Sequence, residues 1–263
     1  MTLATQPYSS CRTSLREVVL SSAFGLAFVL PWALAVALAV VHTSAHAAEP
    51  SRVTRTLSEP FETVRLAGGL DLQLQQGDGD SLVLEGDERL IGHILTSVHD
   101  GVLEIRYEGL HVQLYSATAP RVILTARALK RVRAEGSGTI SCDAWHAPQA
   151  LALDVAGSSD IRFHGLSVPK LSVHIAGSSE VELVGAVAEQ EVRINGAGDY
   201  EAGHLKSGKT NVVVAGAGDV TVWATETLSV SIAGAGDVKY YGRPSLSRSV
   251  AGMGDIEALG ESP

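Results

Sequence analysis

Cysteine is nearly absent from this chain, with two in 263 residues, Cys11 and Cys142. That scarcity excludes a disulfide-stapled scaffold and any Cys-x-x-Cys redox or zinc site. Basic charge is also short. Lys and Arg number 20 against 29 Asp and Glu, for a net charge of -9. Such a balance makes nucleic acid a poor partner and gives no electrostatic hold on anionic lipid. No Gly-x-Ser-x-Gly elbow and no His-Glu-x-x-His run occurs. The histidines after residue 47 are His93, His99, His111, His146, His164, His174 and His204, and none pair at metal-ligand spacing. Stability must therefore come from an apolar core and backbone ladders, without disulfides or metals.

Glycine is abundant, at 27 residues, and it is periodic. Glu135-Gly-Ser-Gly-Thr-Ile140, Ala156-Gly-Ser-Ser-Asp-Ile161 and Ala176-Gly-Ser-Ser-Glu-Val181 open a series. Asn195-Gly-Ala-Gly-Asp-Tyr200, Ala215 to Val220, Ala233 to Val238 and Ala251-Gly-Met-Gly-Asp-Ile256 continue it. The first glycines lie 21, 20, 19, 20, 18 and 18 residues apart. A fixed period near this length marks a solenoid, in which one short unit cannot bury its own face and must stack on its neighbours.

Within one unit, Leu228, Val230 and Ile232 alternate with Ser229 and Ser231, and Val238 and Tyr240 resume the alternation after the glycines. Period two is that of a strand with one buried face. The same inward set recurs as Leu151, Leu153, Val155, Ile161 and Phe163, and as Leu171, Val173, Ile175, Val181 and Leu183. β-Branched residues at this spacing, broken by glycine, oppose a helix. The fold expected is all-β, a parallel β-helix-like solenoid with coils of about 18–21 residues. At each corner glycine permits positive φ and close backbone approach, and the Asp that follows can accept corner N–H groups.

The first 47 residues differ in kind. Arg12 and Arg16 precede an apolar run from Val18 to Val41, and Ala45-His46-Ala47 follows with small residues at the cleavage positions. This reads as a signal peptide over 1–47 and implies export. The run at 18–41 is also long enough to span a bilayer, so retention as an anchor is the alternative. Residues 48–60 read as a linker. Residues 61–257 read as one β-solenoid domain, with less regular first coils over 61–130 and glycine-corner repeats over 131–257. Residues 258–263 read as a tail. Val98 to Ile105 forms a hairpin pattern with Asp100-Gly101 as its turn. In the last unit Leu246, Arg248 and Val250 stand where earlier units have three apolar residues, and this polar intrusion fits a terminal cap that blunts the open edge of the stack.

Several stretches together resemble a bacterial family, the putative auto-transporter adhesin, head GIN domain. They are Phe61-Glu-Thr-Val-Arg-Leu66, Leu70-Asp-Leu-Gln-Leu-Gln-Gln-Gly77, Leu84-Glu-Gly-Asp-Glu-Arg-Leu90 and Gly101-Val-Leu-Glu-Ile105. The serial glycine corners and Val238-Lys-Tyr-Tyr-Gly242-Arg-Pro244 complete the resemblance, which runs from about Phe61 to Ile256. It implies an exported β-helix-like protein of the cell envelope and supplies no catalytic residues. Thr139 and Glu180 depart from the Asp position of the corner.

The constellation with most chemistry is the corner ladder Asp160, Glu180, Asp199, Asp219, Asp237 and Asp255. Stacked carboxylates repel unless they are hydrogen-bonded, hydrated or bridged by a cation such as calcium. The calcium-binding nonapeptide roll has a shorter period and a different Gly–Asp spacing, so corner capping is the favoured reading. An enzyme acting on polysaccharide would need clustered acids or bases on one face. The outward column Asp154, His174, Arg193, Val213, Ser231 and Ser249 is mixed. Trp223 and Tyr241 fall on the outward phase and are candidate surface contacts, while Tyr240 falls inward. The expected function is that of an exported, non-catalytic binding or scaffolding module of the cell envelope, placed in the periplasm or on the cell surface. Its partner would be a protein, a glycan or a second copy, with no cofactor. The alternatives are a polysaccharide-active β-helix enzyme and a membrane-tethered periplasmic partner in envelope stress or assembly.

Overall fold

The computed structural model describes residues 51–57, 59–108 and 120–263. The signal-peptide and anchor readings, and His111, fall outside the described residues. Within them no helix is long and apolar enough to cross a membrane.

Alternating apolar residues and glycine corners produce the coils that the periodicity predicts. In the regular region each coil has three strand segments joined by bends. Elements run in chain order as β1 (Ser51–Arg55), β2 (Thr63–Gly68), β3 (Asp71–Gln76), β4 (Ser81–Gly86), α1 (Glu88–Ile91), β5 (Ile94–His99) and β6 (Val102–Tyr107). They continue as β7 (Arg121–Ala126), β8 (Arg131–Gly136), β9 (Thr139–Cys142), β10 (Trp145–His146) and β11 (Leu151–Gly157). The long bent strands β12 (Asp160–Gly177), β13 (Glu180–Gly196), β14 (Asp199–Gly216) and β15 (Val220–Gly234) follow. Last come β16 (Val238–Tyr241), β17 (Ser245–Gly252) and β18 (Ile256–Gly260).

Parallel register stacks like on like. On the first face Leu153 lies on Val173, then Val192, Val212 and Val230, all buried. On the second face Ile140, Ile161, Val181, Tyr200, Val220 and Val238 form the equivalent buried column. Trp145 opens the third face against Leu166 and is fully buried. Each such aliphatic side chain contributes roughly 1.5–3 kcal/mol of burial, so the core is a continuous rod with no separate centre.

The early chain is less simple than a run of first coils. β2 lies between β6 and β8, and β3 between β7 and β9, so the first coil sits inside later ones. β4 and β5 then run antiparallel beside β7 and β6. The β5–β6 turn is the expected Asp100-Gly101, with φ of 51° and 74°, as a two-residue hairpin with left-handed centre requires. Two boundaries move. The stretch 48–60, read as a linker, contains β1, which pairs antiparallel with β4 and sets Arg52 3.4 Å from Glu85. An open strand edge recruits the extended segment beside it. The stretch 258–263, read as a tail, begins inside β18, where Ala258 pairs Tyr240 and Gly260 pairs Tyr241.

Candidate functional site

The corner acids divide into two sets. In the later coils the Asp219 N–H donates to Asp199 Oδ1 at 3.1 Å, Asp237 N–H to Asp219 Oδ1 at 3.0 Å, and Asp255 N–H to Asp237 Oδ1 at 2.9 Å. Each carboxylate thus satisfies a backbone donor of the coil above, which a tight corner would leave unpaired. In the earlier coils the Asp160 and Asp199 amides instead donate to the carbonyls of Gly138 and Ser179. There the buried Ser179 hydroxyl takes over, accepting from the Ser159 N–H and donating to the Gly157 carbonyl. Asp160 and Glu180 turn toward Arg162, at 3.4 and 3.9 Å. Asp71 belongs to the capping set and was missed in the sequence: it accepts the Thr139 N–H at 3.0 Å. Its signal is Gly68-Gly69-Leu70-Asp71, a corner with Leu in place of the second glycine.

No group of three His, Cys, Asp or Glu among the described residues is placed to hold a metal ion. The capping role makes a specific prediction. Asp219→Asn keeps the side-chain acceptor and should change stability by under about 0.5 kcal/mol, whereas Asp219→Ala should cost about 1 kcal/mol. Millimolar calcium or a chelator should leave the melting temperature of the wild-type protein unchanged. A calcium-dependent rise that Asp219→Asn abolishes would show the ladder to be a metal site.

The first-face column comes together as read, with Asp154, His174, Arg193, Val213, Ser231 and Ser249 in register. Its charged end is internally paired: Arg131 and Arg133 both reach Asp154, at 2.7 and 3.3 Å, and His174 meets Asn195 at 2.9 Å. The second face differs. Two residues after each corner position stand Arg162, Glu182, Glu201, Thr221, Lys239 and Glu257, stacked in register. Glu182 and Glu201 are direct neighbours in this column, and the sequence reading, which followed the other face, passed over them.

These two acids help to line a groove of about 410 Å³ with His204, Thr221 and Tyr241. Glu182 is 3.8 Å from Arg162 and 3.9 Å from His164, while Glu201 is in no ion pair among the described residues. The Tyr241 ring lies beside Gly203, where a Cβ would come within 3.3 Å of it. Trp223, the other aromatic candidate, stacks next to Tyr241 in register and carries Lys206 Nζ 5.5 Å from its ring centre. That is cross-strand cation–π packing, and of the two only Tyr241 lines the groove. In a larger cleft of about 750 Å³ beside Gln76, Asp78, Arg127 and Asp143, the Arg127 and Gln76 side chains are already engaged. There Arg127 donates to the Asp78 carbonyl, and the Gln76 side chain pairs with the His146 backbone.

The one described cysteine, Cys142, is buried, and burial pushes its thiol up to about 12. A thiol so held is neither a nucleophile nor a ligand at neutral pH.

Fold and surface together define a parallel β-solenoid with a shallow open groove and no assembled catalytic triad or metal centre among the described residues. The chain belongs to the family described as putative auto-transporter adhesin, head GIN domain, whose pattern matches residues 60–244. Among solved structures it is similar to a putative adhesin from Bacteroides fragilis at 22% identity and a TM-score of 0.71, covering 81% of this chain and 98% of that one. A putative lipid binding protein from Parabacteroides distasonis has 22% identity and a TM-score of 0.63, covering 81% and 97%. A putative adhesin from Parabacteroides merdae has 22% identity and a TM-score of 0.61, covering 81% and 97%. At these identities the likeness establishes the fold. No curated protein matches the chain.

Proposed function

We propose that this protein is an exported, non-catalytic binding module of the cell envelope whose second-face groove holds a neutral or amino-bearing glycan. The observation that carries this reading is the stacking of Glu182, Glu201 and Thr221 beside the Tyr241 ring. Solvent-facing carboxylates and a hydroxyl accept hydrogen bonds from sugar hydroxyls, and an aromatic ring offers an apolar face to the C–H side of a pyranose. Two stacked carboxylates also disfavour an anionic polysaccharide. The names of the family and of its structural neighbours support an adhesin-like role. The leader over 1–47 supports export, with the module in the periplasm or on the cell surface, either free after cleavage or tethered through residues 18–41.

The polysaccharide-active reading keeps one supporting observation. Glu182 and Glu201 are strand neighbours, about 4.8 Å apart at the backbone, close to the separation of about 5 Å used by retaining glycosidases. Glu182 is already turned to Arg162 and His164, at 3.8 and 3.9 Å, however, so the two acids do not stand as a free pair in the groove. A glycan array probed with the purified protein tests the proposal. Wild type should bind neutral or amino glycans, Tyr241→Ala should weaken binding by about tenfold, one rim aromatic contact being worth roughly 1–1.5 kcal/mol, and Glu182→Gln/Glu201→Gln should weaken it similarly. Binding unchanged in both variants would place recognition elsewhere.

A further inference from the structure

The two ends of the solenoid are built differently. At the first end the strands reverse, and the inward residues Ile94 and Val98 of β5 are only 0% and 9% exposed. At the other end β17 and β18 each pair on one side alone among the described residues, with β15 and β16. The inward residues of β17 are correspondingly open, Leu246 at 37% and Val250 at 43%. Met253 at 86% and Leu259 at 39% lie on the same coil, so four of the five exposed large apolar side chains among the described residues gather there.

An unpaired strand edge beside exposed apolar side chains is a template for another strand. Edges meant to stay single carry lysine, proline, a bulge or an inward-pointing charge; Ser245–Gly252 has no lysine, proline or bulge and one inward-phase charge, Arg248. That strand holds no acid, although Asp255 and Glu257 follow on the same coil.

We propose that this coil is a self-association surface on which a second copy of the chain stacks end to end. Three observations favour a second copy over another occupant. Sixteen residues, Ser245 to Gly260, form the open coil. At about 3.3 Å per residue and a width of roughly 10 Å, it would bury on the order of 500 Å² per copy and about 1,000 Å² in all. That reaches the area a specific interface needs. Second, an isologous contact between two such ends pairs the β17 edge of each copy with that of the other, which makes the contact self-limiting at this end. Third, Arg248 restricts the pairing. Inward residues must face inward residues across an antiparallel β17 pair, and the register that sets Arg248 against itself is disfavoured by like charge. The remaining registers set Arg248 against Leu246 or Val250.

Sedimentation equilibrium of the full chain tests this. Wild type should be dimeric at about 100 μM and dissociate on dilution, as expected for an interface of this size. Val250→Lys should be monomeric at the same concentration, with an unchanged circular dichroism spectrum. Met253→Lys provides a second variant at a site whose exposure makes misfolding no explanation, and it should weaken association by at least about tenfold, a lysine left facing apolar surface across the contact. A wild-type protein that stays monomeric at about 100 μM, or a dimer untouched by both variants, would overturn the proposal.

Discussion

Gly216→Ala should lower stability by about 4 kcal/mol or more, seen as a fall in melting temperature of roughly 10–15 °C. Gly216 sits at φ +149°, in a column with Gly196 and Gly234. A Cβ there would run directly into the Gly196 carbonyl oxygen. That oxygen cannot retreat, because it accepts the Ala217 N–H at 2.9 Å. The substitution therefore combines an unfavourable backbone conformation with a collision against a fixed backbone atom. The coils on both sides must part to admit the methyl group, which also breaks their ladder bonds. Gly79→Ala is the matched control: its Cβ would meet nothing within 4 Å, so it should be nearly neutral. A cooperative thermal melt of the two variants reads the contrast, and equal melting temperatures would refute this account of the corners.

Gln190→Leu should destabilise by about 1–3 kcal/mol although it makes the core more apolar. Gln190 occupies a column that begins and resumes as leucine, with Leu171 on one side and Thr210 then Leu228 on the other. It is buried, as are Ser207, Thr210 and Tyr200. Its side-chain oxygen accepts the Tyr200 hydroxyl at 2.9 Å, and its nitrogen donates to Ser207 and Thr210 at 3.0 and 3.1 Å. Ser207 in turn donates to the Trp223 carbonyl at 2.8 Å. Removing the amide strands the Tyr200 hydroxyl in the core, at the full cost of a buried unpaired donor. The triple variant Gln190→Leu/Tyr200→Phe/Thr210→Val removes the stranded groups as well, and should return to within about 1 kcal/mol of wild type. Chemical denaturation of the single and triple variants separates the two effects. A triple variant less stable than the single one would show that the network contributes more than its desolvation cost.

The solenoid was legible because its signal is repeated. Leu151, Leu153, Val155, Ile161 and Phe163 alternate in sequence and are buried in space, since period two admits only one assignment of faces. The same fixed spacing places Asp154, His174 and Arg193 in one outward column. What alternation cannot encode is spatial order. Val64 and Leu66 of β2 read like any other inward pair, and nothing in them announces that β6 and β8 will flank them. The Gln190 network was hidden for a related reason. Coil length drifts by a few residues, so Gln190 falls 19 residues after Leu171 and Thr210 falls 20 after Gln190, and a polar column forms only once the register is known.

The groove residues escaped for a simpler reason. Glu182 and Glu201 lie two positions beyond the corner acid, on a face where each coil contributes a different polar residue. Single outward positions carry no periodic signal, because solvent accepts Arg162, Thr221 and Lys239 equally well there. Function on such a scaffold lies in the variable outer columns, while the glycines and corner acids hold the coils together.

Binding without turnover is the central claim, and mass spectrometry of a bound glycan tests it most directly. An array-identified oligosaccharide, incubated with the protein and then eluted, should be recovered at its original mass, with retention reduced in Tyr241→Ala. Shortened or unsaturated products that disappear in Glu182→Gln or Glu201→Gln would contradict the claim and make the stacked acids a catalytic pair.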